Sequence, residues 1–199
     1  MIAVLWTATV GGAAFAEEVL PPVAASIGVA DVELIMTESQ AGKAVHSEAG
    51  RWEDRFRRQS SAEEAALQAA KQELDHQPAA KSPQALAEKS RAFEQGFTDF
   101  QNKTAARRLA LEKSTAAAVA KVRQGMAEAT QKVAAARGVT LVLPVSEIVY
   151  ADDKLNLTKE ILAAMNASLS RVVFPPPDVD AELAPPAGRS EQTRRKKEP

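Results

Sequence analysis

The side chains with most potential for chemistry are few and scattered. Among 199 residues there are two histidines, His46 and His76, and no cysteine. The histidines have no acid or thiol partner at ligand spacing, so they form neither a metal site nor a catalytic dyad and read as helix-surface residues. The lack of cysteine excludes disulfides, thiolate zinc sites, thiol nucleophiles and a lipid-modified cysteine anchor. No G-x-x-x-x-G-K-S/T phosphate loop, G-x-S-x-G elbow or H-E-x-x-H helix occurs, and so nothing points to an enzyme, to nucleotide-driven work or to a cofactor.

The residues left to act are charges and aromatics, which bind rather than react. From Lys43 to Arg137 there are 17 Lys and Arg against 12 Asp and Glu, a net of +5. Glu17 to Gly42 holds five acids and no base. Basic residues concentrate at Arg51, Arg55, Arg57 and Arg58 and again at Arg107 and Arg108, giving a candidate attractive band for acidic clients or phosphate-bearing lipids. The plainer reading is a solvated helix face laced by ion pairs with Glu53, Asp54 and Glu112. Phe97 and Phe100 are candidate client contacts, or simply part of a helical seam. The closing Arg194-Arg195-Lys196-Lys197 run lies between Glu191 and Glu198. It reads as a solubilising tail, and nucleic acid is disfavoured as a partner.

Something must position these groups, and the composition limits what it is. The chain is 45% hydrophobic, but alanine supplies much of that and buries little area per side chain. The middle therefore suits thin, closely packed helices rather than a thick globular core. No proline falls between Val32 and Gln77, residues 78–83 supply a turn with Ser82 and Pro83 as a helix start, and a second proline-free run reaches Arg137. Gly138 is placed to end it. Helices of about 40 and 55 residues would extend roughly 60 and 80 Å, so they are expected to pair as a protruding antiparallel hairpin over residues 44–137. In the second, Leu86, Phe93, Phe97, Phe100, Thr104, Leu111, Ala118, Val122, Ala129 and Val133 follow the three-four alternation of a coiled coil. The first seam is interrupted at Gln59-Ser60-Ser61. Folding at the turn would set Leu67 opposite Phe93 and bring Trp52 and Phe56 near Thr104 and Arg108.

Short apolar runs flank the hairpin. Ser26 to Ala30 reads as a strand ending in a helix cap at Asp31, and Val139 to Leu143 and Ile148 to Ala151 as two more, joined by a turn at Pro144. Leu157 to Ser170 reads as a closing helix with Thr158 as N-cap and Leu157 stapled to Leu162. These strands and one helix, over residues 26–43 and 138–174, make a poor core alone and leave sheet edges open. Self-association through Ile27, Val29, Leu141, Leu143, Ile148 and Tyr150 would solve both problems. The fold class expected is α+β: a small β-sheet oligomerisation body carrying a long helical hairpin. Residues 1–16 read as a signal peptide cut after Ala16, on the uncharged apolar run and Ala14-Phe15-Ala16, although no Lys or Arg stands near Met1. Residues 17–25 read as a linker, and residues 175–199, rich in proline and charge, as a disordered tail.

The order of strand, long helical hairpin, two strands and short helix resembles the Skp/OmpH family of periplasmic chaperones. Ile27-Gly28-Val29-Ala30-Asp31 looks like the family's opening strand, and Ser39-Gln40-Ala41-Gly42-Lys43-Ala44 like the root of its first arm helix. Gly138 to Leu143, Ile148 to Asp152 and Leu155 to Leu162 look like its closing block. The resemblance implies a periplasmic homotrimer with a central barrel-like body, whose arms enclose unfolded outer-membrane β-barrel proteins and prevent their aggregation without ATP. It implies no cofactor. Asn156 stands where the family commonly has Asp, and the pI near 6.2 departs from the basic character of its best-known member, which weakens the implied capture of lipopolysaccharide or an anionic membrane surface. A coiled-coil spacer or tether of the cell envelope, without clients, is the rival reading.

Overall fold

The computed structural model describes residues 25–76 and 83–184, and within them the protein is mostly helical. The expected signal peptide, nearly all of the linker, the hairpin tip before Pro83 and the last fifteen residues lie outside the described residues. Strand β1 (Ile27–Ala30) leads into α1 (Val32–Glu38), α2 (Gln40–Asp75) and α3 (Pro83–Arg137). Then follow β2 (Leu141–Pro144), 3-10 turns at Val145–Glu147 and Asp153–Leu155, α4 (Thr158–Ser168) and α5 (Val179–Leu183).

The helix starts follow from local hydrogen bonding. Asp31 caps α1, its carboxylate accepting from the Leu34 amide. The expected first arm helix is split at Ser39, whose extended backbone ends α1 and whose hydroxyl accepts from the Gly42 amide to start α2. An alternative local bond of this kind is what makes serine a helix boundary. The bend brings the chain back on itself so tightly that a Cβ on Gly42 would stand 1.8 Å from the Met36 carbonyl oxygen. At the far end Gly138 takes φ +65, and the Gly138 and Val139 amides bond to the Ala135 and Ala134 carbonyls. This is the glycine-terminated helix end that the sequence predicts.

Strands β1 and β2 pair in parallel, Ile27 with Leu141 through Ala30 with Pro144. A parallel pair needs a crossover between its strands, and here the whole helical hairpin is that crossover. On its other side β1 meets the loop before α4: the Leu157 amide donates to the Val29 carbonyl at 2.8 Å. Two expectations are corrected here. Ile148 to Ala151 is not a strand: Ile148 has extended dihedrals, but among the described residues no backbone pairs with this stretch, and Val149 and Tyr150 stand out into solvent. Nor does Thr158 cap α4. Its amide donates to Asn156 Oδ1, and its own hydroxyl accepts from the Asp31 amide, tying the two helix starts together.

The core lies where α1, the base of α2, the lower half of α3 and α4 meet. Ile35, Leu157, Ile161, Met165 and Val122 are fully enclosed, with Ala41, Val45, Ala118, Ala129 and Val133 around them. The body is thus not confined to residues 26–43 and 138–174, because the arm's own base completes it. Small residues on α3 permit the close fit; a Cβ on Gly125 would meet the Leu169 side chain at 2.4 Å.

The expectation of a disordered tail is wrong for residues 175–184. After α4 the chain runs back along α3, with Val172 and Pro177 buried, and ends in α5, where Asp178 Oδ1 accepts from the Ala181 amide and Glu182 pairs with Lys113. Proline and acid favour disorder only when no surface rewards ordering. Here the basic flank of α3 supplies one.

The glycines give a paired test. Gly42→Ala is expected to cost roughly 1–3 kcal/mol because backbone must shift to admit the methyl. Gly50, also in α2, would have nothing within 4 Å of an added Cβ, so Gly50→Ala should stabilise by about 0.5–1 kcal/mol through reduced chain entropy. Urea denaturation midpoints of the two variants measure both.

Candidate functional site

Above the core, α2 and α3 run antiparallel with only the α5 segment laid over them, so their contact must be made by whatever side chains face inward. Leu67 reaches Gly96, one turn beyond the expected partner Phe93. Phe56 does meet Thr104 and Arg108, which share a cleft with it. Level with the polar interruption of α2, the seam holds an ion pair. Arg107 donates from Nη1 and Nη2 to the two carboxylate oxygens of Glu63, at 2.8 and 2.7 Å, and from Nη1 to Ser60 Oγ at 3.1 Å. The arginine side chain is 11% exposed and the glutamate 32%. The facing guanidinium, by its hydrogen bonds and then its charge, outweighs partial burial and holds the Glu63 carboxyl below the usual carboxylate range, with Lys103 adding a smaller effect. Glu63 in turn raises the Arg107 pKa.

Between this pair and the core the helices part, leaving a cleft of about 720 Å³ floored by Phe56, Leu111 and Val119 and rimmed by Arg57, Arg108 and Arg123. A second groove of about 560 Å³, walled by Met36, Val45, Ala49 and Val122, shares Thr115 and Val119 with it. The two lie side by side along the arm. Their apolar floors can accept aliphatic or aromatic side chains, and the rim of the larger offers guanidinium donors to carboxylates beside its own Glu53 and Glu112.

The candidate contact residues fall into different places. Arg108 is exposed on the cleft. Arg51 pairs with Glu48 at 2.6 Å, and Arg57 with Asp54 at 3.3 Å. Arg55 lies over the Trp52 ring, 4.4 Å from its centroid, and Trp52 in turn packs against Phe56. Arg58 is exposed. Arg107 does not belong to the surface band at all, since it is consumed inside the seam. Phe97 is 45% exposed and stacks on Phe93, whereas Phe100 is half-buried beside Leu67 and Lys103. Of the candidate association residues, Ile27, Leu141 and Tyr150 are exposed, Leu143 and Ile148 are half-buried, and Val29 is inside. Val29 is enclosed within its own chain, so it cannot meet a neighbour.

Sequence reasoning missed Glu63 as the partner of Arg107, because that pairing depends on the register of the hairpin. It also missed α5. A local signal for that helix existed: Asp178 as an N-cap, acids in the first turn, and Val179 and Leu183 at a spacing that shares one face.

Arg107→Ala leaves Glu63 in the seam without its partner and is expected to cost roughly 1.5–3 kcal/mol, while Arg108→Ala stays within about 0.5 kcal/mol. The pH dependence has a definite sign. Since Glu63 binds its proton less readily folded than unfolded, the pair's contribution is full at neutral pH, declines as pH enters the ordinary carboxylate range, and vanishes below the folded value. Urea denaturation from neutral pH down to about 3 should show that part of the acid sensitivity missing in Glu63→Gln.

The comparisons with known proteins fit this architecture. The model of the outer membrane protein (OmpH-like) family matches residues 26–165, which run from β1 into α4. No curated protein matches the chain. Among solved structures, the crystal structure of an OmpH-like protein from Caulobacter crescentus CB15, described as a candidate outer membrane chaperone, superposes with a TM-score of 0.74 at 19% identity, covering 81% of this chain and 95% of the other. A likeness at that identity shows a shared fold. With a family match across most of its length and strand, hairpin and closing helix in the same order, the chain belongs to the OmpH-like family of outer membrane proteins.

Proposed function

We propose that this protein is a periplasmic, ATP-independent holdase chaperone that encloses unfolded outer-membrane β-barrel proteins and prevents their aggregation. The observation that carries the reading is the pair of adjacent open clefts on the arm, apolar along their floors, the larger with guanidiniums on its rim. An unfolded β-barrel strand alternates apolar with polar residues and has unpaired backbone groups, and in water such strands aggregate through their edges. A shallow cleft offers each client segment a weak, fast contact. Several clefts around one client add to a strong hold without slow release from any.

Enclosure requires more than one arm, and the body gives reason for self-association. The sheet leaves the outer edge of β2 open and Ile27 and Leu141 exposed, and the chain after β2 exposes Val149 and Tyr150 beside the extended Ile148. Neighbouring copies would bury these side chains and could supply the strand partner that Ile148 to Ala151 lacks within one chain. A homotrimer is the arrangement proposed, with the export signal at residues 1–16. Family membership and the chaperone description of the structural neighbour support the same reading.

Sedimentation equilibrium of the mature chain should give three copies, and the double substitution Leu141→Asp with Tyr150→Asp should give monomers of unchanged helicity. A denatured β-barrel protein diluted from urea should stay soluble at one trimer per client without ATP. Failure of the wild-type trimer to suppress aggregation would favour the spacer reading. Capture should weaken in high salt, because Arg57, Arg108 and Arg123 face solvent where charge attraction is screened.

A further inference from the structure

Residues 175–184 read Pro-Pro-Pro-Asp-Val-Asp-Ala-Glu-Leu-Ala, with three acids and no base. They lie beyond the family match, which ends at residue 165, and they rest on the arm. A cavity of about 360 Å³ lies between Pro177, Val179 and Leu183 of this strap and Trp52, Phe56, Lys103 and Arg107 of the arm. Lys113 Nζ meets Glu182 Oε1 at 2.6 Å. Phe56 and Arg107 also line the larger cleft, so the strap and the cleft share two walls.

We infer that the arm face formed by Trp52, Phe56, Lys103 and Lys113 is a binding site for short acidic peptide segments carrying apolar residues, and that the strap occupies it as a built-in competitor. Chemistry and fit both support this. The strap presents carboxylates to a lysine-bearing flank, with Val179 and Leu183 one helical turn apart toward the aromatic pair. Its prolines fix an extended lead-in, which lowers the entropy lost on docking. It is also lightly held. Helix α5 has five residues and none is buried, far fewer than a helix needs to persist alone. The Lys113 end of its ion pair is 62% exposed, which screens the pair, while Glu182 is 13% exposed. Val173 in the lead-in is 85% exposed. Its modest contacts suffice because its tether gives an effective concentration of roughly millimolar. A free peptide at micromolar concentration would be excluded, but a client held at several points by the same protein would compete on equal terms.

Identifying clients as the natural competitors rests on the holdase reading; the peptide site does not. The test uses the full chain, a second form with Asp178→Lys, Asp180→Lys and Glu182→Lys, and a third with Val179→Ser and Leu183→Ser, which releases the strap without altering charge. The probe is a fluorescein-labelled synthetic peptide of residues 175–184, followed by anisotropy. Both released forms should bind it at least tenfold more tightly than wild type, and Lys103→Glu with Lys113→Glu added to the third form should abolish that gain. Equal binding by all forms, or binding by none, overturns the inference. Aggregation suppression is measured alongside. If the released forms bind the peptide while no form protects a denatured β-barrel protein, the site stands and the holdase reading falls. If protection is intact but the peptide binds no form, the site falls alone.

Discussion

A stripe of small side chains down α3, from Ala106 through Ala110, Ser114, Ala118 and Gly125 to Ala129, is the surface on which the rest of the described chain is laid. Helices α1, α2, α4 and α5 and strand β2 all touch α3. Small residues let a neighbouring backbone come near, as Leu169 does at Gly125. They also bury little apolar area each. Both consequences are visible: the lower half of the stripe closes a real core only because Ile35, Ile161, Met165 and Leu157 bring bulk to it, and the upper half supports just a pair of helices and a strap.

Where bulk is missing, polar groups take over the seam. The Glu63–Arg107 pair is costly to desolvate and gains little net stability from charge alone. Its effect on register is stronger. A slip of one turn would part the guanidinium from its carboxylate between the two helices, while a pair within one helix such as Arg51–Glu48 is untouched by any slip. The same replacement of apolar side chains by charge opens the cleft beside it, since Phe56, Leu111 and Val119 line a space that no large partner fills. A thin arm and an accessible apolar floor are therefore one property seen twice.

The strand pair places a second demand on the chain. With the hairpin as its crossover, β1 and β2 come together only after some 110 residues have been traversed, a long-range contact that pays the entropy of closing a very large loop. Compensation comes from packing both faces of β1's end: Val29 and Ala30 are buried and the Leu157 amide fills the remaining carbonyl. The opposite edge, on β2, has no such cover among the described residues.

Local rules in the sequence determined much of this protein. Asp31 as a cap, Gly138 as a terminator and the long helical runs depend on neighbours within a few residues and are found, although Ser39 splits the first run; of the expected three-four seam the upper positions Leu86, Phe97 and Thr104 are exposed. The lower seam positions Ala118, Val122, Ala129 and Val133 are buried as the periodicity requires. What required the tertiary structure was every feature set by distant partners. Hairpin register decided that Arg107 lies inside rather than on the basic band. Ile148 to Ala151 pairs with no strand among the described residues, although its residues favour one, because pairing is set by which edge the fold brings alongside. The basic flank of α3 drew in an acidic, proline-rich segment whose composition alone argues for disorder. Propensity and periodicity are written residue by residue along the chain, whereas burial, pairing and charge complementarity exist only between surfaces that folding brings together.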